Sequence, residues 1–202
     1  MSLRVGVLVS GSGTNLQAIL DAATSVYEVA IVMSNKPDAF ALKRAEAAGL
    51  KTLVLLPADF STREAFDDAV ADALEAERVA LVCLAGYMRI LSAGFVKRFE
   101  NRILNIHPSL LPAFVGGHAV RDVLEWGARV TGSTVHIVDD ELDHGPIVLQ
   151  EAVDVFPDDT EETLHERIKA VEHRLYPAAI RLFGEGRIRV EGRRVTILPD
   201  AG

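Results

Sequence analysis

Apolar, often β-branched runs alternate with segments of helical period along the first half of the chain. Arg4 to Val9 is the first such run, and beyond the turn from Ser10 to Asn15 the residues Leu16, Ile19 and Leu20 recur at helical spacing. Val26 to Ser34 reads as a second strand, Asp38 to Ala48 as a helix closed by Gly49, Lys51 to Leu56 as a third strand and Thr62 to Glu75 as a helix. Val79 to Leu84 is apolar throughout, the pattern of a central strand covered on both faces. A short helical piece from Phe95 to Phe99 leads to a strand from Arg102 to Ile106. Gly117 to Gly127 then reads as helix, and Thr131 to Val138 and Ile147 to Val155 as strands. From Thr160 a long helix carries Leu164, Ile168, Val171 and Leu175 on one face, and Arg187 to Leu198 alternates around Gly192 as a hairpin would. Strands alternating with helices predict an α/β fold with a mostly parallel central sheet and helices on both faces. No linker, low-complexity stretch or internal repeat interrupts residues 1–202, so a single domain is expected.

Composition narrows the class. With 202 residues, 49% hydrophobic and 25% charged, the chain can fill one core. A net charge of −8 opposes non-specific nucleic-acid binding, which needs a surplus of Lys and Arg, but leaves room for a local basic pocket that takes one small phosphate. The single cysteine, Cys83, lies within the apolar run and reads as a small buried hydrophobe. It excludes an internal disulfide or a cysteine-built metal site and suits a reducing compartment. No apolar run reaches membrane-spanning length and the N-terminus lacks a signal pattern, so a cytoplasmic protein is expected.

The candidate chemistry centres on Asn105-Ile106-His107-Pro108-Ser109-Leu110-Leu111-Pro112. On a strand Asn105 and His107 share one face, and the two prolines force the chain out of the sheet just beyond them. An amide can donate to an oxygen gaining negative charge, and an imidazole can move a proton near neutral pH. The same pair would also serve as a structural turn former. A second patch, Asp139 to Pro146, follows a strand that contains His136. There Gly145-Pro146 forces a bend that positions Asp143, although the carboxylate could simply cap the turn. His136, inside its strand, reads first as a satisfied structural histidine. The turn Ser10-Gly11-Ser12-Gly13-Thr14-Asn15 is either a phosphate cradle at a helix N-terminus or tight strand-to-helix packing with Thr14 or Asn15 as cap. Ala85 to Leu91, with Met88, Arg89, Ile90 and Leu91, is a core segment with a surface arginine, or one wall of a site for a flat ligand. Arg63 reads as a solvated helix charge, and Lys169 and Glu172 as solvated charges beside the apolar stripe of their helix.

Four motifs, in order, carry a resemblance that extends over nearly the whole chain: Ser-Gly-x-Gly-Thr-Asn at 10–15, Leu-Ala-Gly-Tyr-Met-Arg-Ile-Leu at 84–91, Asn-Ile-His-Pro-Ser-Leu-Leu-Pro at 105–112 and Asp-Glu-Leu-Asp-x-Gly-Pro at 140–146. In these the chain resembles the phosphoribosylglycinamide formyltransferases, folate-dependent enzymes of purine biosynthesis with a Rossmann-like formyltransferase fold. The resemblance implies that 10-formyltetrahydrofolate, a consumed cosubstrate, gives its formyl group to the amine of glycinamide ribonucleotide through a tetrahedral intermediate, with no metal. It implies a catalytic set of Asn105, His107 and Asp143 with His136 in support. Gly13, Thr14, Asn15, Lys169 and Glu172 would hold the ribonucleotide. Arg63, Met88, Arg89, Ile90, Leu91, Asn105, Asp140, Glu141 and Leu142 would line the folate site. The implied partners are these small molecules, with no nucleic acid or membrane, and the protein is expected as a monomer or homodimer.

One position departs from that pattern. Family members usually carry proline after the aromatic beyond the second proline, whereas Phe114 is followed here by Val115-Gly116-Gly117, which restores an N–H, frees φ and predicts a more mobile loop. Two relatives of the same fold are disfavoured. A formyltetrahydrofolate hydrolase has no ribonucleotide phosphate for the Ser10 to Asn15 turn to hold, and a tRNA formyltransferase would need an added RNA-binding domain and a basic surface. A silent nucleotide-binding module would have no use for Asn105, His107 and Asp143.

Overall fold

The computed structural model describes residues 2–200. Seven strands form one sheet in the order β3-β2-β1-β4-β5-β6-β7: β1 Leu3–Val9, β2 Tyr27–Ser34, β3 Thr52–Val54, β4 Leu81–Leu84, β5 Ile103–His107, β6 Val130–Ile137 and β7 Ile147–Asp154. The pairs β1–β2, β1–β4 and β2–β3 are parallel, and β6–β7 is antiparallel. The contacts gather the chain into two compact units that meet in sequence between Leu104 and Asn105.

In the first unit β4 is wholly buried, as a fully apolar run requires, and β1 is buried from Val5 to Val9. Helix α1 (Thr14–Asp21) begins at Gly13, whose φ of 72° lies in the left-handed region. A Cβ there would come within 2.5 Å of Ala41 at the start of α2 (Phe40–Ala47), so glycine is required by both conformation and space. Of the two readings of this turn, the one with Thr14 or Asn15 as side-chain cap is not what forms, because the cap position belongs to Gly13. Helix α3 (Arg63–Ala76) is capped by Thr62, whose hydroxyl accepts from the Ala65 amide at 3.1 Å. Val79, expected in the fourth strand, instead closes α3: Arg78 turns left-handed with φ 54°, and the Val79 amide donates to the Leu74 carbonyl. The third strand is shorter than expected because Pro57 opens a 3₁₀ turn, Pro57–Asp59. Helix α4 (Ala93–Arg98) is capped by Ser92, whose own amide donates to the buried Asp67 carboxylate at 2.6 Å.

In the second unit α5 (Ala119–Trp126) ends at Gly127 with φ 75°. Its start lies two residues later than the pattern suggests, because His118 holds the cap position. Helix α6 (Glu161–Gly184) opens with a reciprocal Thr160–Thr163 cap and buries Leu164, Ile168, Val171 and Leu175, the stripe expected from the sequence. Burying four such side chains removes apolar surface from water at about 25 cal/mol per Å², which holds this helix far more firmly than its propensity. The hairpin β8 (Ile188–Glu191) and β9 (Arg194–Ile197) turns through Gly192 as expected. No helix among the described residues is long and apolar enough to cross a membrane.

Candidate active site

The second unit assembles four polar side chains at the carboxyl end of β5 and the loop after β6. Asn105 and His107 project from one face of β5, as alternation along a strand demands. His107 is almost fully buried. Its Nε2–H donates to the Phe114 carbonyl at 2.8 Å, while Nδ1 stands 3.5 Å from Asp143 Oδ2. The Asn105 amide nitrogen lies 3.1 Å from His136 Nε2 and 3.5 Å from Asp143 Oδ1. His136 Nδ1 sits 3.0 Å from the Ile137 carbonyl and must donate to it, so Nε2 is left as the acceptor that orients the Asn105 amide. Burial pushes the His136 imidazole below its ordinary pKa and keeps it neutral. The Ile137 carbonyl and Asp143 oppose that shift, and neighbouring His107 adds to it. His136 is thus a satisfied histidine, as its strand position suggests, and its partner is the amide of the candidate site.

Asp143 has a side chain only 8% exposed, and its backbone adopts φ 50°. Aspartate tolerates the left-handed region better than most residues, but the conformation persists only where its surroundings fix it. Beyond it, a Cβ on Gly145 would fall 1.8 Å from the Ile137 carbonyl, while the Ile137 amide donates to Pro146 O at 2.9 Å. These contacts make the bend that places the carboxylate. Its Oδ2 also accepts from the Gly116 amide at 2.8 Å. That donor comes from the segment where the family proline is missing.

Sequence reasoning missed the groups that hold this site from behind. The Phe114 carbonyl and the Gly116 amide are backbone atoms and leave no mark in residue type. Thr134 and Gln150 brace the loop after β5: Thr134 Oγ1 donates to Ser109 O at 2.7 Å and accepts from the Leu111 amide, and the Gln150 amide donates to Leu111 O at 2.8 Å. Their only signal was alternation along two strands. Asp140, Glu141 and Leu142 lie exposed at the apex of the loop. Lys169 pairs with Glu166 on α6 rather than with Glu172 as the i,i+3 spacing suggests, and Glu172 is buried rather than solvated, since it lies one turn beyond Ile168 and three residues before Leu175 on the packed stripe. A shallow hollow of about 690 Å³ walled by Ala113, Phe114, Trp126, Gly127 and Ala128 includes none of the four polar side chains.

In the first unit Ser10 ties the glycine-rich turn to the 85–91 segment: its hydroxyl accepts from the Met88 amide at 2.9 Å and donates to Asn35 at 2.6 Å. Met88 and Ile90 are exposed, which corrects the core reading of this segment, and only its ends, Ala85 and Leu91, are buried. Gly86, at φ 72°, turns the chain so that these two side chains leave the core, and the Arg89 guanidinium stacks 4.6 Å from the Phe66 ring centroid instead of sitting among them. Arg63 is a half-exposed helix charge beside Glu64. Among the described residues no cluster of three or more His, Cys, Asp or Glu could hold a metal ion.

An amide donor, a buried imidazole and a carboxylate converging at a strand end of an α/β sheet are groups that can act on a carbonyl and its protons. Residues 3–180 match the profile of the formyl transferase family. The chain is 44% identical over 191 residues to phosphoribosylglycinamide formyltransferase of Escherichia coli, covering 93% of this chain and 90% of that protein. It is 51% identical to the trifunctional purine biosynthetic protein adenosine-3 of Gallus gallus, where it spans only 19% of the relative's length. The glycinamide ribonucleotide transformylase 1 structure of Symbiobacterium toebii superposes with a TM-score of 0.96 at 55% identity, covering 98% of this chain and 95% of that one. The chain belongs to the formyl transferase family, in its phosphoribosylglycinamide formyltransferase branch.

Proposed function

We propose that this protein transfers the formyl group of 10-formyltetrahydrofolate to the amine of glycinamide ribonucleotide, in purine biosynthesis. The observation that carries the reading is the convergence of partly buried Asn105 and buried His107 on the Asp143 carboxylate, each 3.5 Å from it, in a chain 44% identical to an enzyme of that name. The amine nitrogen attacks the formyl carbon, the new C–N bond forms, and the carbonyl oxygen becomes an oxyanion. Asn105, aimed by neutral His136, donates to that oxygen, and His107 joins it when its Nε2–H turns from the Phe114 carbonyl to the substrate. Asp143 faces the imidazole at Nδ1 and orients the ring. The attacking nitrogen loses a proton to the Asp143 carboxylate, directly or through water, and the folate N10 gains one as the C–N10 bond breaks.

Within the first unit the Gly13-Thr14-Asn15 turn, at the N-terminus of α1, suits a phosphate, and Arg63 with Met88 to Leu91 suits the folate. The exposure of Met88 and Ile90 supports that reading, because apolar side chains left in water are surplus to the core. Within the second unit Lys169 and Glu172 take the ribonucleotide, and Asp140, Glu141 and Leu142 the folate. The substrates are small molecules, the single domain of residues 1–202 is the functional piece, and its one buried cysteine fits a cytoplasmic setting.

The test is formyl transfer followed by absorbance with and without glycinamide ribonucleotide. Turnover that requires the ribonucleotide and yields its formylated product supports the reading, and formate release indifferent to the ribonucleotide overturns it. Asn105→Ala is expected to lower kcat by about 10²- to 10³-fold, the loss typical of one oxyanion donor. Full turnover by His107→Ala would remove the imidazole from the mechanism.

A further inference from the structure

The segment from Asp139 to His144 carries Asp143, whose carboxylate is held from within the site, while the apex from Asp140 to Leu142 is exposed. A second set of contacts comes from the tip of the terminal hairpin. Arg193 follows Gly192, whose φ of 59° occupies the position where a two-residue hairpin loop favours glycine, and it directs its guanidinium at His144. Arg193 Nη2 donates to the His144 carbonyl at 2.6 Å, and Nη1 lies against the His144 ring, 2.8 Å from Nε2 and 3.1 Å from Nδ1. The His144 ring passes the contact on, because Nδ1 stands 2.8 Å from Asp139 Oδ2, and Asp139 Oδ1 accepts from the Glu141 amide at 3.1 Å. With a hydrogen on Nδ1 the ring donates to the Asp139 carboxylate. The two ends of the segment are thereby tied to each other and to the hairpin, with Asp143 next to the knot.

Resting on the reading of Asp143 as catalytic, we propose that Arg193 is a positioning residue for this site, the hairpin serving as a strap that fixes the 139–144 segment and thereby the direction of the Asp143 carboxylate. An isolated surface ion pair contributes little to stability, but Arg193 uses the fork of its guanidinium on a carbonyl and a ring at once, which fixes geometry rather than fold. Catalysis is sensitive to shifts that stability barely registers, since a misplacement of about 1 Å can cost about 10²-fold in rate. His144 makes the strap possible, because a residue without a ring at this position would offer Arg193 only the carbonyl and would leave Asp139 untied.

The experiment compares Arg193→Ala, Arg193→Lys and, as a control on the same hairpin, Arg189→Ala, whose partner is Glu191. Steady-state formyl transfer, thermal unfolding and amide hydrogen exchange are read for each. Arg193→Ala is expected to lower kcat about tenfold, leave KM for the ribonucleotide unchanged and keep Tm within about 2 °C. Exchange should rise at the Glu141 amide and its neighbours in 139–146 only. Arg193→Lys, which reaches the carbonyl but cannot bridge to the ring, should recover part of the loss, and Arg189→Ala should match the parent. An unchanged kcat with unchanged exchange in Arg193→Ala overturns the proposal, and so does a loss of protection spread over the whole chain with a large fall in Tm. Asp143→Asn separates the two layers. If it retains full turnover, the reading of Asp143 falls and takes the kinetic role of Arg193 with it. If it is inactive while Arg193→Ala is indistinguishable from the parent, the strap alone falls.

Discussion

His136 links the site to stability through a single proton. Its folded-state pKa lies below the ordinary value of 6.5, with burial as the leading cause, so between the two values the unfolded chain binds a proton that the folded chain does not. Stability then rises with pH through that window. It is fully present above about 6.5 and is lost as the solution is acidified toward the folded pKa. His136→Gln removes the titrating group while keeping a polar atom near the Asn105 amide. Denaturant unfolding from pH 5 to 7.5 should show a shallower dependence in this variant than in the parent, and equal slopes would mean that His136 does not carry the linkage. Half-buried His165, also depressed chiefly by burial, leaves a residual slope in both proteins. The same variant tests orientation. If neutral Nε2 aims the Asn105 amide, kcat should fall by about tenfold or more while the fold is retained at pH 7.5.

At the scale of elements, pattern alone placed every strand and helix that was written as a periodic run, because hydrophobic period is set by the burial that fixes the element. Val79 was misplaced because a left-handed Arg78 is a conformational fact with no signature in hydropathy, and Glu172 because a charge on a packed stripe looks the same in sequence as one beside it. Asn105, His107 and Asp143 were legible from residue chemistry and motif. Gly116 and Phe114 were not, since they act through backbone atoms. Glycines at close approaches fall between these cases: their presence is visible but their purpose is not. Gly132 on β6 is one, where a Cβ would come within 2.1 Å of the Glu151 carbonyl on β7. The Glu151 backbone belongs to the β6–β7 ladder and cannot yield without breaking pairing. Gly132→Ala should destabilise the protein by about 1–3 kcal/mol, as measured by urea unfolding. Gly117→Ala, where nothing lies within 4 Å of the added carbon, should be close to neutral.

For the molecule as a whole the open question is how many cooperative units it contains. Contacts divide it in sequence between Leu104 and Asn105, and chains longer than about 150 residues often unfold in more than one step. The division falls inside a strand, however. Ile103 and Leu104 belong to one unit and Asn105 to His107 to the other, yet all five residues form β5. Domain boundaries ordinarily lie in exposed, flexible linkers, whereas Ile103 and Leu104 are wholly inaccessible to solvent and Ile106 and His107 are buried. Melting one unit alone would require half of a strand to lose its pairing while the other half kept it, and the residue at the break is the proposed oxyanion donor. We therefore predict a single transition for the 202-residue chain. Calorimetry should give a calorimetric enthalpy equal to the van't Hoff enthalpy, and formyl transfer should be lost at the same urea concentration as the far-ultraviolet signal. Two resolved transitions, or activity lost well before secondary structure, would show that β5 comes apart at Asn105 and that the chain folds as two cooperative bodies.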